Sequence, residues 1–253
     1  MTEPLRSRSN PRVQRWRALV REAGARRREG RMVLEGPHLV AAALEAGLVP
    51  HALLLSDRGA ARPELVALAG AAAVRLSDAA FAAIADAGSP AGLAGEFDIP
   101  GLEANAPGTV FLDAIQDAGN VGAILRSAAA FGVGRVVLGR GCADPWSPKV
   151  LRAGMGAHFR LALESDADLA QALARHAGPV ACMVPRGGTA LDRAELGPEV
   201  GWLLGAEGQG VDPALQALVP LKVTIPMATG TESLNVAAAA AVCFYAAFSR
   251  RAA

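Results

Sequence analysis

An alternation constrains this chain more than any other feature. From Thr109 onward, short apolar runs recur with helical segments between them. Thr109–Leu112, Arg135–Leu138, Val180–Val184, Gly201–Leu204 and Leu221–Ile225 read as strands. Val121–Phe131, Lys149–Met155, Leu169–His176, Pro213–Leu218 and Leu234–Phe248 read as helices, the last as a long buried one. A run such as Val136-Val137-Leu138 is apolar at every position, not every second one, so its strand must be covered on both faces. Strands and helices in that order define an α/β fold around a mainly parallel sheet. The first part of the chain follows the same pattern on a smaller scale. Met32–Gly36, Ala52–Leu55 and Val74–Leu76 read as strands. Pro37–Ala46 and Pro63–Ala69 read as helices opened by proline, and Asp78–Ala87 as one capped by Ser77. Asp98–Gly108 is rich in Pro and Gly and carries neither period. The expected organisation is a basic arm or helix at 1–31, a small α/β domain at 32–98, a linker at 99–108 and a larger α/β domain at 109–253.

A chain of 253 residues buries enough surface to fold without a disulfide or metal staple. Cys142, Cys182 and Cys243 are dispersed, odd in number and without a C-x-x-C pair, so neither a disulfide framework nor a zinc site is expected. Met1–Asn10 has no apolar signal core, and the apolar run Val236–Phe248 falls short of the about 20 residues that a membrane span needs. A cytoplasmic protein without a membrane partner is the expectation. The net charge of +1 hides an asymmetry. Residues 1–31 carry ten arginines against three acids, a local +7 that leaves −6 for the rest. Arg12–Arg28 reads as one basic helix, and Arg12, Arg15, Arg26, Arg27 and Arg28 are candidates for contact with RNA phosphates, which suit the guanidinium fork.

Several chemistries are excluded. Gly132-x-Gly134 precedes a strand and lacks the third glycine of a dinucleotide fingerprint. There is no Walker-type loop and no G-x-S-x-G elbow. His38, His51, His158 and His176 are scattered, none four residues from another, so no metal site is expected.

Three segments of the larger domain carry polar groups that structure alone does not require. In Asp117–Gly132, Asn120 sits at a helix start where its side chain can cap. Arg126 follows among Ala123, Ile124, Leu125 and Ala128, surroundings that disfavour a guanidinium unless it is paired or projects into a site. In Leu203–Val211, a strand runs into a loop of three glycines with one acid, Glu207, at the strand's carboxyl end, where open α/β sheets place ligands. In Val223–Val236, a strand is cut by Pro226 and a polar loop leads to an Ala/Val helix with Glu232, Ser233 and Asn235 in its first turn.

The stretches N-V-G-A-I-L-R-S-A-A-A-F-G (Asn120–Gly132), L-L-G-A-E-G-Q-G (Leu203–Gly210) and I-P-M…E-S-L-N-V-A-A-A (Ile225–Ala239) together resemble the SpoU (TrmH-like) family of the SPOUT methyltransferase superfamily in order and spacing. The resemblance covers residues 109–250. Val33–Leu48, with its strand, Glu-Gly-Pro and helix, is more loosely similar to an L30e-like RNA-binding domain. Two departures stand out: Ala118 replaces a common proline, and Ala237 a common serine.

The resemblance implies a trefoil-knotted C-terminal domain, a homodimer packed through the knotted region, and S-adenosylmethionine-dependent 2′-O-methylation of RNA, ribosomal RNA before tRNA. It implies cofactor contacts at Leu204, Gly205, Ile225, Met227, Ser233 and Leu234. It also implies a catalytic set of Arg126, Asn120, Glu207 and Asn235. A guanidinium stays protonated, so Arg126 fits a clamp on a developing alkoxide or an RNA phosphate better than a base. Asn120, Glu207, Ser233 and Asn235 are expected to order the loops and the substrate ribose. The other readings are a non-catalytic RNA-binding protein with a vestigial pocket and a small-molecule methyltransferase, which leaves the basic segment unexplained.

Overall fold

The computed structural model describes residues 4–104, 106–197 and 199–252. They form two compact units. The first takes the described residues up to Pro100 together with Trp146–Phe159, and the second takes Gly101–Pro145 and the chain from Arg160.

The first unit opens on two helices, α1 (Pro11–Arg21) and α2 (Ala23–Glu29). The single basic helix expected over Arg12–Arg28 is broken at Glu22, whose backbone is extended (φ −118°, ψ 113°). Asn10 caps α1 by accepting from the Arg12 amide at 2.9 Å. Four strands follow: β1 (Arg31–Glu35), β2 (Pro50–Ser56), β3 (Val74–Leu76) and β4 (Leu93–Asp98). The helices among them are α3 (Pro37–Glu45), α4 (Asp57–Ala60), α5 (Pro63–Ala69) and α6 (Asp78–Ile84). The sheet order is β1-β4-β2-β3, with only β2 and β3 parallel. Sequence reading missed β4, because Leu93–Asp98 (LAGEFD) places a glutamate in the middle of a buried strand.

Residues 1–31 are therefore not an arm, at least over their described part. Val13, Trp16, Leu19 and Val20 of α1 belong to the unit's core with Val33, Leu54, Leu76 and Phe81. Leu5 runs beside β3, donating its amide to the Arg75 carbonyl at 2.8 Å. One buried carboxylate ties α1 to the sheet. Glu96 of β4 accepts from Trp16 Nε1 at 2.8 Å, from Arg15 Nη2 at 2.7 Å and from Arg31 Nη1 at 2.7 Å. Burial by itself would raise the Glu96 pKa, but the hydrogen bonds from Arg15, Trp16 and Arg31 outweigh it and hold the carboxyl at about 2.

The larger domain expected at 109–253 is not one continuous block. Trp146–Phe159 leaves that block and joins the first unit. The segment carries helix α8 (Pro148–Gly154), which follows α7 (Ala118–Ala130) of the second unit in the chain. Arg152 of α8 pairs with Asp86 at 2.6 Å.

The second unit holds a seven-stranded sheet. Its strands are β5 (Thr109–Asp113), β6 (Arg135–Gly139), β7 (Ala162–Ala167), β8 (Val180–Met183), β9 (Thr189–Ala190), β10 (Gly201–Gly205) and β11 (Leu221–Thr224). Beside α7 stand α9 (Leu169–Arg175), α10 (Pro213–Leu218) and α11 (Val236–Ala252). The order is β7-β6-β5-β10-β8-β11-β9, and every pair is parallel. Val110, Phe111, Leu112, Val136, Val137, Trp202, Leu203 and Leu204 are all buried, as continuous apolar runs in a doubly covered sheet require. The edge strands β7 and β9 escaped sequence reading, the first because Ala162–Ala167 (ALESDA) is largely polar, the second because it has two residues. The final helix is not buried all round: Val242, Tyr245 and Phe248 are exposed.

The Glu96 pairings lead to a prediction. A carboxyl whose folded pKa is depressed from 4.5 to about 2 stabilises the fold above pH 4.5 and loses that contribution as pH falls toward 2. The contribution is on the order of 3 kcal/mol. Glu96→Gln is expected to lower unfolding free energy by about 3 kcal/mol in urea titrations at pH 7. The variant should also show a weaker loss of stability than the parent between pH 4.5 and 2.

Candidate functional site

The site lies at the carboxyl ends of the central strands, where the three polar segments converge. β5 ends at Asp113, and α7 begins five residues later. Asp117, not Asn120, caps that helix, accepting from the Asn120 amide at 2.8 Å. This frees the Asn120 side chain. Its Nδ2 donates to Glu207 Oε1, and its Oδ1 accepts from Asn235 Nδ2 at 3.0 Å. Asn235 in turn caps α11, its Oδ1 accepting from the amides of Ala237 at 2.9 Å and Ala238 at 3.2 Å. Glu232, Ser233 and Asn235 thus precede the helix instead of filling its first turn. Three of the four expected catalytic residues form one hydrogen-bonded chain across segments 87 and 115 residues apart in sequence.

Arg126 stands outside this chain. It is exposed on α7, six residues and about 9 Å along the helix from Asn120, and turned about a third of a revolution from it. It makes no hydrogen bond or ion pair with any described residue of its own chain.

A cavity of about 350 Å³ opens beside the chain. All six expected cofactor residues, Leu204, Gly205, Ile225, Met227, Ser233 and Leu234, line it. So do Met183, Val184 and Pro185 at the end of β8, which sequence reading did not name. No local pattern marks them, because their place in the cavity comes from β8 pairing with β10. The volume is within the range of about 300–1,000 Å³ typical of small-molecule sites. Met183, Ile225, Leu234 and Val236 offer apolar walls suited to a flat base, while the Gly205–Gly210 turn exposes backbone groups. The turn depends on Gly205: a Cβ there would lie 2.1 Å from the Gly210 carbonyl carbon and 2.2 Å from the Val211 nitrogen. Gly210, at φ +70°, closes it by donating its amide to the Ala206 carbonyl at 2.7 Å. An adenosine-type cofactor fits this lining, in which the Glu207 carboxylate accepts from Asn120.

Burial raises the pKa of all three thiols. Burial pushes Cys142 up to about 11 and Cys243 up to about 12. Among the described residues no group of three or more His, Cys, Asp or Glu is placed to hold a metal ion, and no helix is long and apolar enough to cross a membrane.

The expected RNA-contact arginines divide. Arg12, Arg27 and Arg28 are exposed. Arg26 is a correction: it is 3% exposed and donates Nη1 to the carbonyls of Leu19 at 2.7 Å and Val20 at 2.9 Å. Arg15 is likewise committed to Glu29 and Glu96. The break at Glu22 redirects the chain ahead of Arg26, whereas Arg15 precedes the break and stays 36% exposed while bound to its two acids. Arg17 and Arg21 face outward on α1 and were missed, although Val13, Trp16, Leu19 and Val20 at helical spacing mark the other face as the one that packs.

A parallel sheet with a base-sized cavity and a polar relay at its carboxyl edge defines a cofactor-dependent α/β enzyme. Residues 107–245 match the SpoU rRNA Methylase family, and residues 10–95 match the MRM3-like substrate binding domain, which takes in α1 and α2. The chain is 30% identical over 244 residues to the 23S rRNA (guanosine(2553)-2′-O)-methyltransferase RlmP of Bacillus subtilis, covering 95% of this chain and 97% of that protein. It is 36% identical over 154 residues to the human mitochondrial rRNA methyltransferase 3, an alignment that spans 56% of this chain and 37% of the relative. The crystal structure of an RNA 2′-O ribose methyltransferase superposes with a TM-score of 0.82 at 29% identity over 99% of this chain and 100% of that one. The chain belongs to the SpoU rRNA methylase family.

Two glycines separate fold from cavity. Gly205→Ala should lower unfolding free energy by at least about 2 kcal/mol and abolish calorimetric binding of S-adenosylmethionine, since the added methyl meets backbone. A Cβ at Gly208 meets nothing within 4 Å, so Gly208→Ala should stay within about 0.5 kcal/mol of the parent.

Proposed function

We propose that this protein transfers the methyl group of S-adenosylmethionine to a ribose 2′-hydroxyl of ribosomal RNA. The observation that carries the reading is the adjacency of the 350 Å³ cavity to the Glu207–Asn120–Asn235 chain, with all three SpoU segments meeting there. The cofactor supplies an electrophilic methyl sulfonium; the chain's own residues must hold it and align the hydroxyl. Met183, Ile225 and Leu234 hold the base, and the Gly205–Gly210 turn offers backbone groups to the ribose. Asn120 and Asn235 fix the rim on which the RNA ribose rests, so that the reacting atoms meet in line. Arg126 carries a permanent positive charge. It stabilises the alkoxide that develops as the 2′-hydroxyl gives its proton to solvent water, or holds the adjoining phosphate.

Arg126 does this in the site of a second copy, which explains its distance from the relay of its own chain. The support for a homodimer is the outer face of α11. Val242, Tyr245 and Phe248 are 42%, 58% and 41% exposed at helical spacing, and Phe131 at the end of α7 packs against both aromatic rings at 5.7 and 6.0 Å. The C-terminal unit is a trefoil knot in this reading, on the strength of the SpoU family match over residues 107–245. The exposed arginines of α1 and α2 grip structured RNA through its phosphates. The protein works in the cytoplasm.

Labelled methyl from S-adenosylmethionine should enter unmodified ribosomal RNA at a fixed, stated salt concentration. Label in bulk tRNA alone would overturn the substrate, and cofactor binding without transfer to either RNA would favour a binding protein. Arg126→Ala should cut transfer at least about 100-fold, a loss typical of a transition-state donor, with RNA retention on filters within twofold. If the arginine acts across a dimer, mixing Arg126→Ala with Gly205→Ala should recover part of the activity through one intact composite site. No recovery in a proven mixed dimer would place Arg126 in its own chain's site.

A further inference from the structure

We infer that Arg140 and Arg186 form a pair of phosphate clamps that seat the RNA strand across the reaction site; this rests on the RNA-methylation reading above. The two residues occupy matching places. Arg140 directly follows β6, and Arg186 lies three residues beyond β8. In the sheet these strands flank the central pair β5 and β10, whose carboxyl ends lead to Asn120 and Glu207. Three strand spacings put the two turns about 14 Å apart, one on each side of the relay.

The turns are also built alike. Each is an Arg-Gly pair with the glycine at positive φ, +85° at Gly141 and +80° at Gly187. Each is pinned on both sides. Beyond Arg140, the Cys142 amide donates to the Gly139 carbonyl at 3.2 Å and the Ala143 amide to the Ile115 carbonyl at 2.9 Å. Around Arg186, the Val184 amide donates to the Val223 carbonyl at 2.9 Å and the Gly188 amide to Thr224 Oγ1 at 3.0 Å. Thr224 Oγ1 donates back to the Val184 carbonyl at 3.0 Å. Pinned turns hold the two exposed arginines at set positions, and neither guanidinium pairs with any described residue.

Electrostatics give them a task. The carboxyl edge carries Asp113, Asp117, Glu207 and Asp212, each accepting a hydrogen bond that shapes the site. A polyanionic strand approaching this edge meets carboxylates that cannot be removed without losing the loops. Fixed guanidiniums on either side offset that repulsion and take phosphate oxygens through two N–H groups at once. At the amino edge of the same sheet the arrangement differs: Arg135 and Arg175 both face Glu164.

The test uses the full-length protein, S-adenosylmethionine and unmodified ribosomal RNA transcripts over a range of KCl. Arg140→Ala and Arg186→Ala should each raise KM for RNA by about 5- to 10-fold, the range of one lost phosphate contact, with kcat at saturating RNA within twofold and KM for S-adenosylmethionine unchanged. Each should reduce the slope of log binding constant against log salt by about 0.7 to 0.9. Arg→Lys at either position should restore the slope, since the charge returns. Arg160→Ala, which removes an exposed charge ahead of β7 at the opposite edge, should change neither. An unchanged KM and slope in both alanine variants, or a loss equal to that of Arg160→Ala, overturns the clamps. Filter retention of the same RNA is scored in parallel. Retention without methyl transfer by the parent sinks the methylation reading while the variants' slopes still decide the clamps, and no retention by the parent sinks both.

Discussion

The candidate site depends on the side-chain amide of Asn120. A carboxamide has one donor end and one acceptor end, and here each is assigned. Its nitrogen faces the Glu207 carboxylate, which accepts only, so its oxygen must face the donor nitrogen of Asn235. That leaves the Asn235 oxygen for the first amides of α11. A negative charge at one end and the positive end of a helix at the other polarise the whole chain in one sense. The relay therefore fixes the glycine turn after β10 and the start of α11 relative to α7, and the first two of these line the cavity. Loss of any member leaves a polar neighbour without its partner.

Arginine serves three ends in this molecule, and surroundings decide which. Arg15 and Arg31 neutralise the buried Glu96 and bind a helix to a sheet. Arg26 satisfies two carbonyls near the end of α1. Arg12, Arg17 and Arg21 stand on the solvent face of the same helix, with Arg12 lying 5.1 Å from the Trp16 ring centroid. A count of ten arginines in 31 residues says that charge is concentrated there. Only packing tells a structural guanidinium from one available to RNA, because the two can be neighbours on one helix turn.

The helices and central strands of the second unit were legible because their apolar runs match their periods and Gly or Pro ends them. β4 and β7 were not, since Glu96 and Glu164 interrupt the apolar pattern and acquire their arginine partners from distant segments. The cofactor residues were legible as glycines and strand ends. Met183 and Val184 were harder to read, because their part in the cavity comes from β8 lying next to β10, a neighbour relation that no local pattern records. The excursion of Trp146–Phe159 into the first unit was hidden for the same reason: its helix has an ordinary pattern, and its destination is set by contacts with β1 and Asp86.

The sequence by itself determined the α/β class, the two-part organisation and the identity of the three segments that carry the chemistry. It could do so because burial on both faces writes continuous apolar runs, and because tight turns and helix starts demand particular residues. The tertiary structure alone decided that the Asn120 side chain joins Glu207 and Asn235, that Arg126 stands apart from the relay of its own chain, that Arg15 is spent on Glu96, and that Arg26 is buried. Each of those outcomes depends on which groups meet across 80 or more residues or on which face of a helix is covered, and hydrogen-bond partners and burial are properties of the folded neighbourhood rather than of the local chain.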